Sequence, residues 1–320
     1  MQLVHHLMNM MNNILNMMNI CTLADLHLNV GNTVSHIQNM VQPCDLVVYV
    51  GDILNFEFIP DCGEWGSECN QALTYLDTVI DDIGKDFLFT LGNHDTVPVH
   101  TSDISQHIAQ HPLHVGICNP TASACYHRHP NIATLYSGSY GCPYATNSLN
   151  GCPLPEDAKF IDEHLDHIHM LFTHIPPPQA FGLPFTGIQT VCNCGWGPTN
   201  ISVLPSVPTD WHGSGHYHDS LFTTKSTPKY INLMKSGSNA YGPCFSNNVG
   251  GMNVFNWDQS HISFDRHELV NGHIPDFDPS ACNHVIQGTD VIQGTGVAAA
   301  LTLTTSVTIF SLLVSLITHS

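Results

Sequence analysis

The chain has 320 residues, 42% of them hydrophobic and 10% charged, which is enough for one large or two small domains with a hydrophobic core and excludes an intrinsically disordered protein. Seven lysines and arginines stand against 26 aspartates and glutamates, for a formal charge of -19, so there is no basic stripe and we expect no nucleic-acid partner. The 23 histidines make the surface charge strongly dependent on pH below neutrality.

The first segment, residues 1–17, is rich in methionine and asparagine. It lacks the basic region and the continuous apolar region of a secretory leader. We interpret it as an atypical leader or a truncated N-terminus.

From residue 18 the chain alternates between apolar runs and helical spacing. Strands are expected at 19–26, 45–50 and 87–91, with helices at 33–41 and 71–83 between them. This βαβαβ order predicts an α/β fold with a largely parallel sheet. Further strands are expected at 167–172, 211–218, 230–234, 252–257 and 261–264. No linker divides residues 18–275, so one domain is predicted there, with the aperiodic segment 118–152 as a disulfide-tied loop over the site.

Twelve cysteines occur in the chain, several of them in close pairs, and zinc-ribbon spacing is absent. We interpret them as disulfides formed in an oxidising compartment, with reduced, buried cysteines as the alternative. The spacing leaves the pairing open. The sequon at Asn200 permits one N-glycan if the chain is exported.

The C-terminal part divides into a spacer, 276–296, and an uncharged hydrophobic tail, 297–318. The tail is long enough to cross a bilayer, and no basic residue follows it. We interpret it as a signal for a GPI anchor, with a tail-anchored helix and a buried core helix as alternatives. The expected location is therefore extracellular or at the cell surface, or the lumen of a secretory or acidic compartment, with membrane contact through the tail only.

Polar clusters follow the predicted strands. They are Asp25-Leu26-His27, Gly51-Asp52, Gly92-Asn93-His94-Asp95, His174 and Gly215-His216-Tyr217-His218. Carboxylates, an amide oxygen and imidazoles together suit two metal ions held by mixed nitrogen and oxygen ligands, and they exclude a thiolate site. If the strands continue through these motifs, alternate residues of the DxH and HxH motifs share one face.

In this order over about residues 21–218, the motifs DxH, GD, GNHD, a lone His and GHxH resemble the calcineurin-like metallophosphoesterase superfamily. The resemblance implies an α/β four-layer sandwich: two mixed β-sheets flanked by helices, with a dimetal site at the C-terminal ends of strands. It implies two divalent or trivalent metal ions, with iron, zinc and manganese all left open. It assigns the first metal to Asp25, His27 and His218, the second to Asn93, His174 and His216, and the bridging position to Asp52.

The same resemblance implies hydrolysis of phosphate esters by attack of a metal-bound hydroxide. His94 would contact the scissile phosphate and assist the leaving group, and Asp95 would orient His94. The chain is most similar to the purple-acid-phosphatase-like group that lacks the tyrosine ligand, because Asn55 occupies that position. We therefore expect a phosphatase that takes a phosphate-ester substrate.

Two alternatives remain. An acid sphingomyelinase-like phosphodiesterase is suggested by Pro98 after the GNHD motif and by the His-Ile-Pro-Pro loop at 174–177, although the chain has no room for the additional modules of those enzymes. The other is a non-catalytic surface binding protein with the same fold. Histidines without partners at motif positions, among them His164, His167 and His169, are expected to be solvated surface residues.

Overall fold

The computed structural model describes residues 17–29, 34–56, 66–95, 101–137, 153–176, 204–216, 222–223, 228–233, 236 and 251–269. The predictions for residues 1–16, His218, the glycosylation site Asn200, the spacer and the hydrophobic tail lie outside these residues. Within the described ranges, no helix combines the length and the apolar character needed to cross a bilayer.

The described elements are twelve strands and four helices, which alternate from β1 to α3. The strands are β1 Met18–Leu23, β2 Leu46–Val50, β3 Phe87–Thr90, β4 Ile117–Cys118, β5 Ala124–Arg128, β6 Asn131–Leu135, β7 Ile168–Thr173, β8 Thr209–Ser214, β9 Phe222–Thr223, β10 Lys229–Asn232, β11 Gly251–Trp257 and β12 Ile262–Leu269. The helices are α1 Ser35–Met40, α2 Ser67–Ile83, α3 Thr101–Ala109 and α4 Pro155–His164.

The strands form two mixed sheets. The first has the order β12-β11-β1-β2-β3, in which β1, β2 and β3 are parallel and β11 and β12 are antiparallel additions. The second has the order β4-β5-β6-β7-β8-β10-β9, in which β6, β7, β8 and β10 are parallel. The predicted mixed-sheet α/β architecture is confirmed.

The first part of the segment 118–152 is not the loop that the sequence predicts. Residues 124–128 and 131–135 are β5 and β6, an antiparallel pair in the second sheet. Ala124, Cys125 and Tyr126 are consecutive buried residues of β5, so the polar and apolar alternation by which a strand is recognised is missing. Residues 138–152 lie outside the described part of the chain.

Three hydrophobic clusters make the fold a four-layer sandwich. Residues on the two faces of β2 illustrate the layers: Val48 packs between the two sheets with Phe172 and Phe255, whereas Tyr49 packs against the helices on the outer face of the first sheet. On the outer face of the second sheet, Ile161 of α4 packs in a third cluster. Helices therefore cover both outer faces.

Two disulfides lie within the described residues. Cys21 of β1 is bonded to Cys44, which precedes β2, and Cys118 is bonded to Cys125. Cys69 is also disulfide-bonded. The disulfide interpretation is confirmed for these cysteines, and the oxidising compartment stays a prediction.

Candidate metal centre

The predicted ligands converge at the carboxyl ends of the parallel strands. Asp25 follows β1, Asp52 follows β2, Asn93 follows β3, His174 follows β7 and His216 follows β8. These five side chains belong to residues that are at most 1% exposed. The topology therefore brings residues from both sheets to one edge of the sandwich.

Asp52 is the central residue of the cluster. Its Oδ2 atom lies 3.0 Å from Nε2 of His174 and 3.6 Å from Nε2 of His27. Nε2 of His174 also lies 3.1 Å from Oδ1 of Asn93, while Nδ1 of the same ring is 2.9 Å from the carbonyl oxygen of Val50. The Val50 carbonyl therefore fixes the ring so that Nε2 points between two oxygen acceptors.

His27 is held by a residue that the motifs did not single out. Its Nδ1 lies 2.9 Å from Oδ1 of Asn55, and its backbone N–H donates to the carbonyl of Asp52 at 2.8 Å. Nε2 is thereby turned toward the Asp52 carboxylate. Asn55 stands three residues after Asp52, and its contact with His27 explains why a polar residue other than tyrosine suits this position.

Asp25 connects the loop after β1 with the loop after β8. Its two carboxylate oxygens accept the backbone N–H of His216 at 2.9 and 3.1 Å. The rings of His174 and His216 are 5.2 Å apart and nearly perpendicular. Asp25 thus positions a second predicted ligand in addition to lying among the ligands itself.

His94 and Asp95 lie next to the ligands. The backbone N–H of His94 donates to Oδ1 of Asp52 at 2.8 Å, and its partly exposed ring contacts that of His27 edge to face at 4.7 Å. The Asp95 carboxylate accepts the N–H groups of Leu54 and Gly92, each at 2.9 Å. Asp95 therefore connects the loops after β2 and β3, and its predicted effect on the orientation of His94 stays a prediction.

The backbone at this site is left-handed in residues other than glycine. The φ angles are 53° at Asp25, 46° at His27, 51° at Asp52 and 72° at His216. Asp25 and His27 are therefore not in extended strand, and the expectation that the alternate residues of DxH share one strand face is wrong. The same expectation for HxH includes His218, which lies outside the described residues. Such conformations are costly for these residue types and concentrate at functional sites.

Two glycines let the loops approach the cluster closely. A Cβ atom at Gly51, where φ is 76°, would collide with the ring of His174, and one at Gly92 would collide with the Asp52 carboxylate. The glycines of the GD and GNHD motifs are thus required because the backbone packs directly on two predicted ligands.

The charges at the site are strongly coupled. Burial by itself raises the pKa of Asp52, but the charge and hydrogen bond of His174, with smaller effects of His27 and His94, hold that pKa well below its usual range. Burial by itself lowers the pKa of His174, but Asp52 raises it to about 9. Burial and the nearby Asp52 charge raise the pKa of Asp95 to about 7.

The donor set fits the predicted metals. Nε2 of His174 lies between oxygens of Asp52 and Asn93, so a cation bound there would meet one nitrogen and two oxygen donors. His27, Asp52 and His94 have ligand atoms within 4.8 Å of one another, as have Asp52, His174 and His216. Both groups contain Asp52, which is what a bridging carboxylate requires. The division of the ligands between two ions stays a prediction.

Buried polar side chains of β7 and β8 form a hydrogen-bonded group next to the site. The Thr173 hydroxyl donates to the carbonyl of Ile175 at 3.1 Å and lies 2.8 Å from Nε2 of His212 and 3.3 Å from the hydroxyl of Ser214. Burial lowers the pKa of His212 to about 3, so this ring is neutral. Thr173 directly precedes His174, and Ser214 lies two residues before His216. Their contacts can be found only from the parallel register of β7 and β8.

The comparison with solved structures finds matches at low sequence identity. One crystal structure has a TM-score of 0.51 at 10% identity, over 78% of this chain and 99% of its own. A dimetal phosphatase from Danio rerio has a TM-score of 0.41 at 13% identity, over 77% and 98% of the two chains. A putative 5'-nucleotidase from Staphylococcus aureus has the same TM-score and identity, over 82% of this chain and 55% of its own.

Sequence comparison assigns the family. The search of curated proteins finds no significant match to this chain. The sequence model of the calcineurin-like phosphoesterase family matches residues 18–220, which is more than half of the chain and contains every predicted ligand. The chain therefore belongs to the calcineurin-like phosphoesterase family.

Proposed function

We propose that this protein is a dimetal phosphatase that hydrolyses phosphate monoesters. Family membership supports the coarser statement that it is a metal-dependent phosphoester hydrolase. The observation that carries the proposal is the buried Asp52 carboxylate, which belongs to both candidate ligand groups. A shared carboxylate is the arrangement by which a protein holds two metal ions close together.

The protein's own residues have separable roles in this reaction. Asp52, His174 and Asn93 would hold metal, and Asn55 and the Val50 carbonyl orient the imidazole ligands. The chemistry that the two ions supply when bound is positive charge for the phosphoryl oxygens and a lowered pKa for a water molecule. With only seven lysines and arginines in the chain, this charge is the natural partner of a phosphate group.

His94 is the proposed proton donor to the leaving group. Its Nδ1 atom is buried, whereas the residue as a whole is partly exposed, so Nε2 is the nitrogen that can exchange a proton with a substrate. The hydrogen bond from its backbone N–H to Asp52 keeps the ring beside the ligands. Protonation of the departing alkoxide is the step this position favours.

The test is hydrolysis by metal-loaded protein of an aryl phosphomonoester and an aryl phosphodiester, with metal analysis of the same sample for iron, zinc and manganese. Asp52→Asn should remove nearly all turnover and at least one ion, whereas the exposed control Asp82→Asn should keep both. Full activity of Asp52→Asn contradicts the proposed site. Preference for the diester supports the phosphodiesterase alternative. Absence of hydrolysis with both ions bound supports a binding protein.

We also propose that the protein is exported and held at the cell surface by a GPI anchor that replaces the hydrophobic tail. The proposal is supported by the disulfides Cys21–Cys44 and Cys118–Cys125 and by the uncharged segment 297–318. Release of the protein from cells by a GPI-specific phospholipase is the expected result. Free thiols at all twelve cysteines in protein from its native source would contradict export.

A further inference from the structure

Three potential metal ligands meet at the end of the second sheet opposite the candidate metal centre. His174 and His216 follow the carboxyl ends of β7 and β8, whereas His167, His169 and Asp210 lie at the amino ends of the same two strands. The sequence predicts that His167 and His169 are solvated residues without partners at motif positions. The structure shows both imidazoles partly exposed and in contact with the carboxylate of Asp210, which belongs to none of the motifs.

The donor atoms have the separation of a metal site. Nε2 of His167 lies 3.0 Å from Oδ1 of Asp210, and Nδ1 of His169 lies 3.0 Å from Oδ2. The two nitrogens and the carboxylate lie within 4.8 Å of one another, and the two rings are nearly perpendicular. Tetrahedral zinc with bonds of about 2.0–2.2 Å holds its ligands about 3.3 Å apart, so small side-chain rotations complete the site.

The backbone fixes the three residues before any ion binds. His169 and Asp210 lie between two register pairs of parallel strands, Ile168 with Thr209 and Met170 with Trp211. The carbonyl of His167 accepts a hydrogen bond from the side chain of Asn131 at 3.0 Å. Binding therefore orders little more than the three side chains, which lowers its entropic cost.

Among the described residues, the Asp210 carboxylate pairs with histidines rather than with permanent cations. Within these ranges it forms ion pairs with the two histidines and with no lysine or arginine. The nearby Lys229 lies over the ring of Trp211, on the other face of the sheet. The side chains of His167, His169 and Asp210 are 36%, 17% and 42% exposed, which leaves room for an ion and a water molecule as fourth ligand.

We propose that His167, His169 and Asp210 form an additional divalent-metal site of the zinc type, separate from the dimetal centre. Two imidazoles and one carboxylate are ligands that zinc accepts. The bound ion joins β7 to β8 at the ends of the strands that lie away from His174 and His216. The chain's formal charge of -19 attracts divalent cations in general and favours its occupation.

The test is zinc uptake by the purified full chain, measured by elemental analysis after equilibration with Zn²⁺ and removal of free metal. Asp210→Asn and His169→Gln should each bind one zinc ion fewer per chain than the wild type while keeping its phosphoesterase activity. The matched control is His107→Gln, because His107 forms a 2.9 Å pair with Asp77 at similar exposure but without a second histidine. This control should bind as much zinc as the wild type.

The measured quantity is the difference in zinc content per chain between each variant and the wild type, so the result can be interpreted whether or not the dimetal centre is active. Equal zinc uptake by the wild type, Asp210→Asn and His169→Gln would overturn the proposal, and so would an equal loss in His107→Gln. If Asp210→Asn fails to fold by circular dichroism, His167→Gln gives the same comparison at another ligand of this site. A Co²⁺ absorption band of tetrahedral type that disappears in the same variants would support the site independently.

Discussion

Gly92→Ala tests how closely the backbone packs on the Asp52 carboxylate. A Cβ atom at this position would lie 2.8 Å from Cγ of Asp52, whereas ordinary contacts begin at 3.4 Å. The carboxyl carbon must therefore move by at least ~0.6 Å, and a misplacement of about 1 Å at a catalytic group costs about 10²-fold in rate. We expect kcat/KM for an aryl phosphomonoester to fall by about this factor, and metal affinity to fall by about 10–100-fold.

The control for this prediction is Gly84→Ala. Gly84 ends α2 with a φ of 62°, but the nearest atom to an added Cβ is the carbonyl oxygen of Asp81 at 3.4 Å, far from the ligands. Alanine in this left-handed conformation should lower the free energy of unfolding by about 1–2 kcal/mol, partly offset by the lower entropy of the unfolded chain. The value of kcat/KM should be unchanged. Wild-type kcat/KM and metal content in Gly92→Ala would refute the reasoning.

Four further outcomes are expected. His94→Ala should keep both metal ions and lose about 10²–10⁴ in kcat, and an unchanged rate would rule out its proton-transfer role. Asn55→Ala should free the His27 ring and weaken metal binding by about 10–100-fold in a chelator competition, whereas equal affinity would make their hydrogen bond dispensable. Burial lowers the pKa of His114 to about 4, so as the pH falls the unfolded chain takes up the proton before the folded protein does, and the metal-free protein should lose stability between pH 6.5 and 4. His114→Leu should reduce the slope of the free energy of unfolding against pH by up to ~1.4 kcal/mol per pH unit in this range. Identical pH dependence in the wild type and the variant would contradict this. Protonation of the many histidines reduces the negative charge that repels an anionic phosphate ester, so kcat/KM should have a mildly acidic optimum that sharpens at low salt. An alkaline optimum without salt dependence would contradict this prediction.

The first sheet could be predicted because its strands are apolar runs that stop at polar motifs. The predicted strand at 45–50 differs from β2, Leu46–Val50, by one residue. The hairpin of β5 and β6 is not predicted because most residues of its short strands are buried whichever face they are on, and because β5 contains cysteine, tyrosine and histidine. Helix α3 was missed because its buried face is formed by Ile104, Ser105 and Ile108 in an otherwise polar segment.

The predicted ligands that the structure describes do lie together, because their motifs end parallel strands. What the sequence could not reveal are contacts set by tertiary structure. The hydrogen bond between Asn55 and His27 depends on the loops after β1 and β2, and the contact of Thr173 with His212 depends on the register of β7 and β8. The partners of His167 and His169 were missed for the same reason, because Asp210 lies on the neighbouring strand.

The left-handed backbone at the site lowers the conformational stability of the protein at the same residues that the proposed activity requires. Each of Asp25, His27, Asp52 and His216 holds a backbone conformation that glycine would adopt at a lower cost, by about 1–2 kcal/mol per residue. Glycine at these positions would relieve the backbone cost, but it would remove the predicted ligands and the buried hydrogen bonds that the carboxylates of Asp25 and Asp52 accept. Stabilising substitutions should therefore be sought away from the strand ends, and a variant altered at the motifs should be expected to lose metal binding.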